Sequence, residues 1–236
     1  MKKEVICKNC NAPNPSHELT CLSCNSYLRE RVYNIDFWKT LEYLIESPVK
    51  AFTRVIYSEQ KNFLVFILLF VSIKYFINTI FFYLVNPDNQ IFAANILRNY
   101  IIVLSSLSIT ILIFSFLIKI SNRFYDNKTR IKDIFSILSY ALLPNIIAVI
   151  FIFPLELIFF GGYIFSNNPS PFLIKETAAY IMLSLEVIII LWTLFLAMIA
   201  LFTLTKSTAY SIILGGLFVL VQYFTQYLSS FYLLTN

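Results

Sequence analysis

Five runs of about 20 apolar residues dominate this chain, and they dictate what it can fold into. As a helix rising about 1.5 Å per residue, each is long enough to cross a hydrocarbon core about 30 Å thick. Hydrophobic residues make up 58% of the chain and charged residues only 13%, against roughly 45–50% and roughly a quarter in soluble domains. A soluble fold would have to bury several fully apolar helices in one small core. Transmembrane barrels use short alternating segments, which do not occur here. The pattern predicts an all-α polytopic membrane protein built on a five-helix transmembrane bundle.

The spans are expected at Phe63–Val85, Leu97–Lys119, Ser139–Phe165, Ala178–Thr203 and Ala209–Leu233. Asn86-Pro87-Asp88-Asn89 ends the first, and the Asn- and Pro-rich run from Ser166 to Pro171 follows the third. The third apolar run starts unusually early. A single helix over Thr129–Tyr163 would be about 50 Å long. Its first part is therefore expected to lie at the membrane surface, capped by Thr129, with kinks at Pro144 and Pro154.

Charge placement orients the bundle. Nine Lys/Arg precede the first span, five follow the second, and Lys206 follows the fourth, whereas the opposite side has only Arg98 and Lys175. This asymmetry predicts a cytosolic amino terminus and an external carboxyl terminus. The opening MKKEVICK has no apolar stretch ahead of a small-residue cleavage site, so no cleaved signal peptide is expected.

All four cysteines fall within the first 24 residues, as two C-x2-C pairs: Cys7 and Cys10, then Cys21 and Cys24. Two such turns can close a tetrahedral thiolate cage, the usual structural zinc site. A head of this size buries too little core to fold unaided, so bound Zn2+ would supply its folding free energy. Asn11 and Asn25 each follow the second cysteine of a pair, where a positive φ is often required and asparagine is the best choice after glycine. A redox pair and an iron site are the alternatives. Four thiolates leave no open coordination position for catalysis. His17 lies between the pairs and reads as a surface residue. The head resembles the small zinc ribbons at the ends of many prokaryotic membrane proteins, and its thiolates suit a reducing compartment.

Asn34 or Asp36 can cap a helix running to about Glu46, and Ser47-Pro48 starts a second one, with proline at its first position. Phe37, Trp38, Leu41, Leu44 and Ile45 form one apolar face, and Val49, Phe52, Val55 and Ile56 the other. These helices either lie in the headgroup plane as cytosolic interfacial helices or pack on the cytosolic end of the bundle.

Three ionisable residues fall within spans: Lys74, Glu156 and Glu186. An unpaired charge at that depth costs at least about 2–3 kcal/mol, so pairing is expected. Two carboxylates share one ammonium, so one Glu should be protonated or otherwise hydrogen-bonded. A dry, paired Glu156 is the expected outcome. The cluster reads as an ion pair fixing span packing, as a proton- or solute-linked site, or as separate snorkelling side chains. Without an intramembrane histidine or a cysteine outside the head there is no nucleophile–base pair, so no enzyme is expected. No phosphate-cradling glycine loop or nucleic-acid surface is present.

Ser47-Pro48 before the first span, and Asp133, Tyr140 and Pro144 in a D-x6-Y-x3-P pattern at the third, resemble the Yip family of five-span membrane proteins. The likeness runs from about Phe37 to the carboxyl end, and the orientation it implies agrees with the charge count. Eukaryotic members carry longer cytosolic tails. The compact head therefore resembles a prokaryotic-type member of the bacterial cytoplasmic membrane. The expected organisation is a zinc-ribbon head over 1–30, amphipathic interfacial helices over 31–61 and a Yip-like domain over 62–236. Two functions are in view. One is a non-enzymatic scaffold or membrane-organising, trafficking-like protein. Its partners would be the lipid bilayer, cytosolic or membrane proteins and other copies of itself. The other is a small transporter or permease subunit using Lys74, Glu156 and Glu186.

Overall fold

The computed structural model describes residues 4–15, 18–29, 32–84, 96–124, 129–166 and 168–234. His17 and the Asn86–Asn89 turn lie outside the described residues. The head is a two-stranded antiparallel ribbon, β1 (Glu4–Ile6) and β2 (Pro13–Pro15), with Val5 opposite Asn14. Its core is small: Cys7, Cys21 and Leu28, with Val5 and Ala12 against them.

Two short helices follow. In α1 (Phe37–Glu46), the Asp36 carboxylate accepts the Lys39 backbone N–H, so Asp36 is the cap. In α2 (Pro48–Tyr57), Pro48 occupies the first turn, where its missing N–H costs nothing. The helices differ in depth. Trp38 and Ile45 of α1 are exposed. Ala51, Phe52 and Val55 of α2 are fully buried, because α2 packs into the bundle against the third and fourth spans.

Among the described residues, five helical segments are long and apolar enough to cross a membrane. They are α3 (Leu64–Leu84), α4 (Ile96–Phe124), a composite third span, α9 (Glu176–Thr205) and α10 (Thr208–Leu234). The composite span comprises α5 (Ile131–Ala141), α6 (Pro144–Ile147), a π-helical turn (Ala148–Ile152), α7 (Phe153–Phe160) and a 3-10 turn (Gly161–Phe165). A four-residue helix, α8 (Pro171–Ile174), precedes α9. Lys206, in the left-handed region at φ 58°, closes α9 and lets α10 return as its antiparallel neighbour. Those two helices approach closely: a Cβ on Gly215 would lie 3.0 Å from the Met198 backbone.

Two expectations for the third span change. Thr129 does not cap it. The capping position is Arg130, without a side-chain cap bond, and the Thr129 hydroxyl accepts from Asn122 instead. The stretch expected at the surface is also enclosed by protein: Ile134, Ile137, Leu138 and Ala141 of α5 are fully buried, since α2, α4 and α9 all pack on it. The break at Leu142–Leu143 before Pro144 appears where expected. Pro154 lies in the first turn of α7, directly after the π-turn.

Candidate functional sites

Each cysteine pair closes the same backbone turn. The Asn11 N–H donates to the Cys7 carbonyl and the Asn25 N–H to the Cys21 carbonyl, both at 2.9 Å. Asn11 and Asn25 sit at φ 55° and 56°, the left-handed region that an asparagine tolerates. The turns bring all four Sγ atoms within 4.8 Å of one another. Cys7 and Cys24 are 3.7 Å apart, and Cys10 and Cys21 3.5 Å. A tetrahedron of thiolates at about 2.3 Å from a zinc ion has edges of about 3.8 Å, so Cys7, Cys10, Cys21 and Cys24 fit a four-coordinate metal.

Donors around the sulfurs complete the cluster. Asn14 is buried; its Nδ2 donates to Cys21 Sγ at 3.4 Å while its Oδ1 accepts the Leu22 N–H at 2.9 Å. Ser26 Oγ stands 3.0 Å from Cys24 Sγ and 3.2 Å from Cys7 Sγ. The Ser26 hydroxyl and backbone N–H, with the Cys10 thiol, lower the Cys24 thiol to about 6. Such contacts favour the thiolate, the form that binds metal.

A clasp joins the segment after this head to the start of the first span. The Glu59 N–H donates to the Val32 carbonyl and the Gln60 N–H to the Tyr33 carbonyl. Asn62 holds both backbone groups of Ile35: Nδ2 donates to its carbonyl and Oδ1 accepts its N–H, each at 2.8 Å. The Arg29 guanidinium lies 4.1 Å above the Tyr57 ring. On the bundle side, the Tyr140 hydroxyl donates to the Asn62 carbonyl at 2.9 Å.

Beside it, the Lys61 ammonium donates to the Val55 and Ile56 carbonyls at the end of α2 and meets Asp133 at 3.1 Å. The second Asp133 oxygen accepts from Arg130 Nε at 2.8 Å. Burial pushes Lys61 down from its ordinary value to about 8, even with Asp133 opposing the shift. Sequence reasoning missed this site because it counted Lys61 only as a topology charge. The available signal was Asp133 and Tyr140 at i and i+7 on one helix, hence on one face.

The intramembrane residues come together only in part. Lys74 Nζ lies 2.6 Å from Glu186 Oε1, with the lysine side chain 2% exposed. Glu156 is buried and within electrostatic reach of both, yet its Oε2 has no hydrogen-bond partner. The expectation of a paired Glu156 is therefore corrected: Glu186 holds the ammonium. Both amide atoms of Gln222 are also buried without a partner, whereas Gln226 Oε1 accepts from Asn78 Nδ2 at 3.0 Å. The serines and threonine of α4 mostly bond back to their own helix, as Ser106, Ser108 and Thr110 do.

A family model described as the Yip1 domain matches residues 43–228. The chain belongs to the Yip family. Comparison with curated proteins and with solved structures finds no match. The five apolar helices and the Yip domain together make this a multi-pass membrane protein. The matched region of this Yip-family chain starts within α1, ends within α10, and takes in α2, the first four spans, the Lys61–Asp133 contact and the intramembrane charges. The four cysteines precede it.

Proposed function

We propose that this protein is a non-enzymatic membrane scaffold whose head and neighbouring helices recruit partners to the bilayer. The clasp is the observation that carries the reading: hydrogen bonds from residues 32–35 to 59–62, and from Asn62 on to Tyr140, fix the segment that carries the head to the spans, and the Arg29 guanidinium of the head lies over the Tyr57 ring of α2. Whatever docks on the head is thereby recruited to the bilayer. The metal is a structural Zn2+, supported by four sulfur ligands at tetrahedral spacing and no fifth ligand among the described residues. The head lies in the cytosol, on the basic side of the charge count, and the carboxyl terminus outside. Its thiolates and compact form suit a prokaryotic-type member in the bacterial cytoplasmic membrane. Partners are the lipid bilayer, cytosolic or membrane proteins and other copies of the chain, without nucleic acid. Exposed Trp38 and Ile45 on α1 suit contact with the lipid interface.

Affinity purification from native membranes tests the scaffold. Reproducible partners should be lost together with bound zinc, measured by elemental analysis, when Cys7 and Cys10 are changed to Ser. A head that can be deleted with no change in partners sinks the idea.

A second reading, a small transporter or permease subunit, draws on one observation. Glu156 presents a buried, unpartnered carboxyl oxygen on a span broken by a π-turn, and broken helices line many transport sites. Solute or proton flux in reconstituted vesicles, abolished by Glu156→Gln, is the result that reading requires.

A further inference from the structure

The charges inside the spans do not balance. Lys74 is matched by Glu186 at 2.6 Å, which leaves the Glu156 carboxyl over. Glu156 is 7% exposed, and no donor reaches its Oε2. The groups around it offer little to an anion. The charged groups within reach are Lys74 of α3, engaged with Glu186, and Glu186 of α9, itself negative. Lys175, before α9, places its ammonium 5.8 Å from the centroid of the Phe159 ring, one turn along α7.

The start of α7 gives no help either, although helix starts usually favour carboxylates. The Phe153 N–H is bonded to the Ala148 carbonyl across the π-turn, and Pro154 has no N–H. An ionised Glu156 would therefore face a nearly neutral ion pair in a low-dielectric interior, which penalises the charge heavily. A neutral carboxyl lacking one hydrogen bond is penalised far less.

We propose that Glu156 is a proton-binding site: it holds a proton in the folded protein at neutral pH, while Glu186 alone meets the Lys74 ammonium. The proton is the ligand, and the bond that forms is O–H on the Glu156 carboxyl. This goes beyond the scaffold reading and does not depend on it, since the experiment reads the carboxyl itself and no partner or solute.

The test is infrared spectroscopy of the full-length protein in a detergent that has no carbonyl group. A protonated carboxylic acid has a C=O stretch separate from the amide and carboxylate bands, and it moves to lower frequency in heavy water. The wild type should show this band at neutral pH. Glu156→Gln should remove it, and Glu156→Asp should shift it. Lys74→Gln should add a second protonated carboxyl, because Glu186 then loses its cation. Asp133 is the other deeply buried carboxylate among the described residues, but Lys61 meets one of its oxygens and Arg130 the other, so it should add nothing. A wild-type spectrum without the band overturns the proposal whether or not the variants fold. Survival of the band in Glu156→Gln also overturns it.

Discussion

Lys61 and Lys74 both have side chains 2% exposed and both meet a carboxylate, but they differ in what else surrounds them. Lys61 stands at the head-side end of the bundle, where two carbonyls ending α2 and Asp133 take its three N–H groups, and Arg130 takes the other Asp133 oxygen. Lys74 stands about 15 Å along α3, with one short contact to Glu186 and a second carboxylate close by. The first site has a surplus cation that reaches solvent through Arg130, whose side chain is 38% exposed. The second has a surplus carboxyl, on Glu156, that is itself buried, and the Glu186 side chain beside it is 20% exposed. A filled network near water acts as a fastening. An unfilled one inside the membrane is where a proton or solute can matter.

That contrast can be broken by experiment. Asp133→Ala should have the largest effect, a loss of about 3–5 kcal/mol, because it strands a buried ammonium. Thermal unfolding in detergent measures it, and a cost no greater than that of Glu186→Gln would erase the distinction between the sites. The pH profile comes next. Folded Lys61 releases its proton near pH 8, whereas the unfolded chain releases it near 10.5. Between those values the unfolded state binds more protons, so the Lys61 contribution to stability rises with pH, by up to about 3 kcal/mol. Lys61→Met should flatten that rise.

Partner choice at the second site gives a smaller signal. In double-mutant cycles, Lys74 should couple to Glu186 by about 1–2 kcal/mol and to Glu156 by less. Stronger coupling to Glu156 would reverse the assignment of the pair. Smallest of all is Tyr140→Phe, expected to cost about 0.5–1.5 kcal/mol through the lost bond to the Asn62 carbonyl. Loosening of the clasp, read as faster hydrogen exchange in residues 58–62, should accompany it.

Much of the framework could be read along the chain because it depends on local chemistry. Apolar run length gives the spans, cysteine spacing gives the thiol cluster, and Asn11, Asn25, Asp36 and Pro48 each answer to backbone geometry within a few residues. What stayed hidden depends on lateral packing. Hydropathy could not say that α5 is enclosed on several sides, because α2 and α9 come from distant parts of the chain. The partner of Asp133 lies before the first span, and the choice between Glu186 and Glu156 depends on how α9 and α7 are rotated about α3. Linear position places residues at a depth in the membrane and leaves their azimuth open.

The π-turn at Ala148–Ile152 governs one such azimuth. A π-turn holds one residue more than an α-turn, so it shifts the phase of everything that follows it in the span. Removing a single residue there would rotate α7 by about 100°, the angle per residue of an α-helix. The broken span is thus a phase shifter: its extra residue decides that Glu156 is turned inward beside Lys74 and Glu186, while its neighbours Leu155 and Leu157 are turned outward.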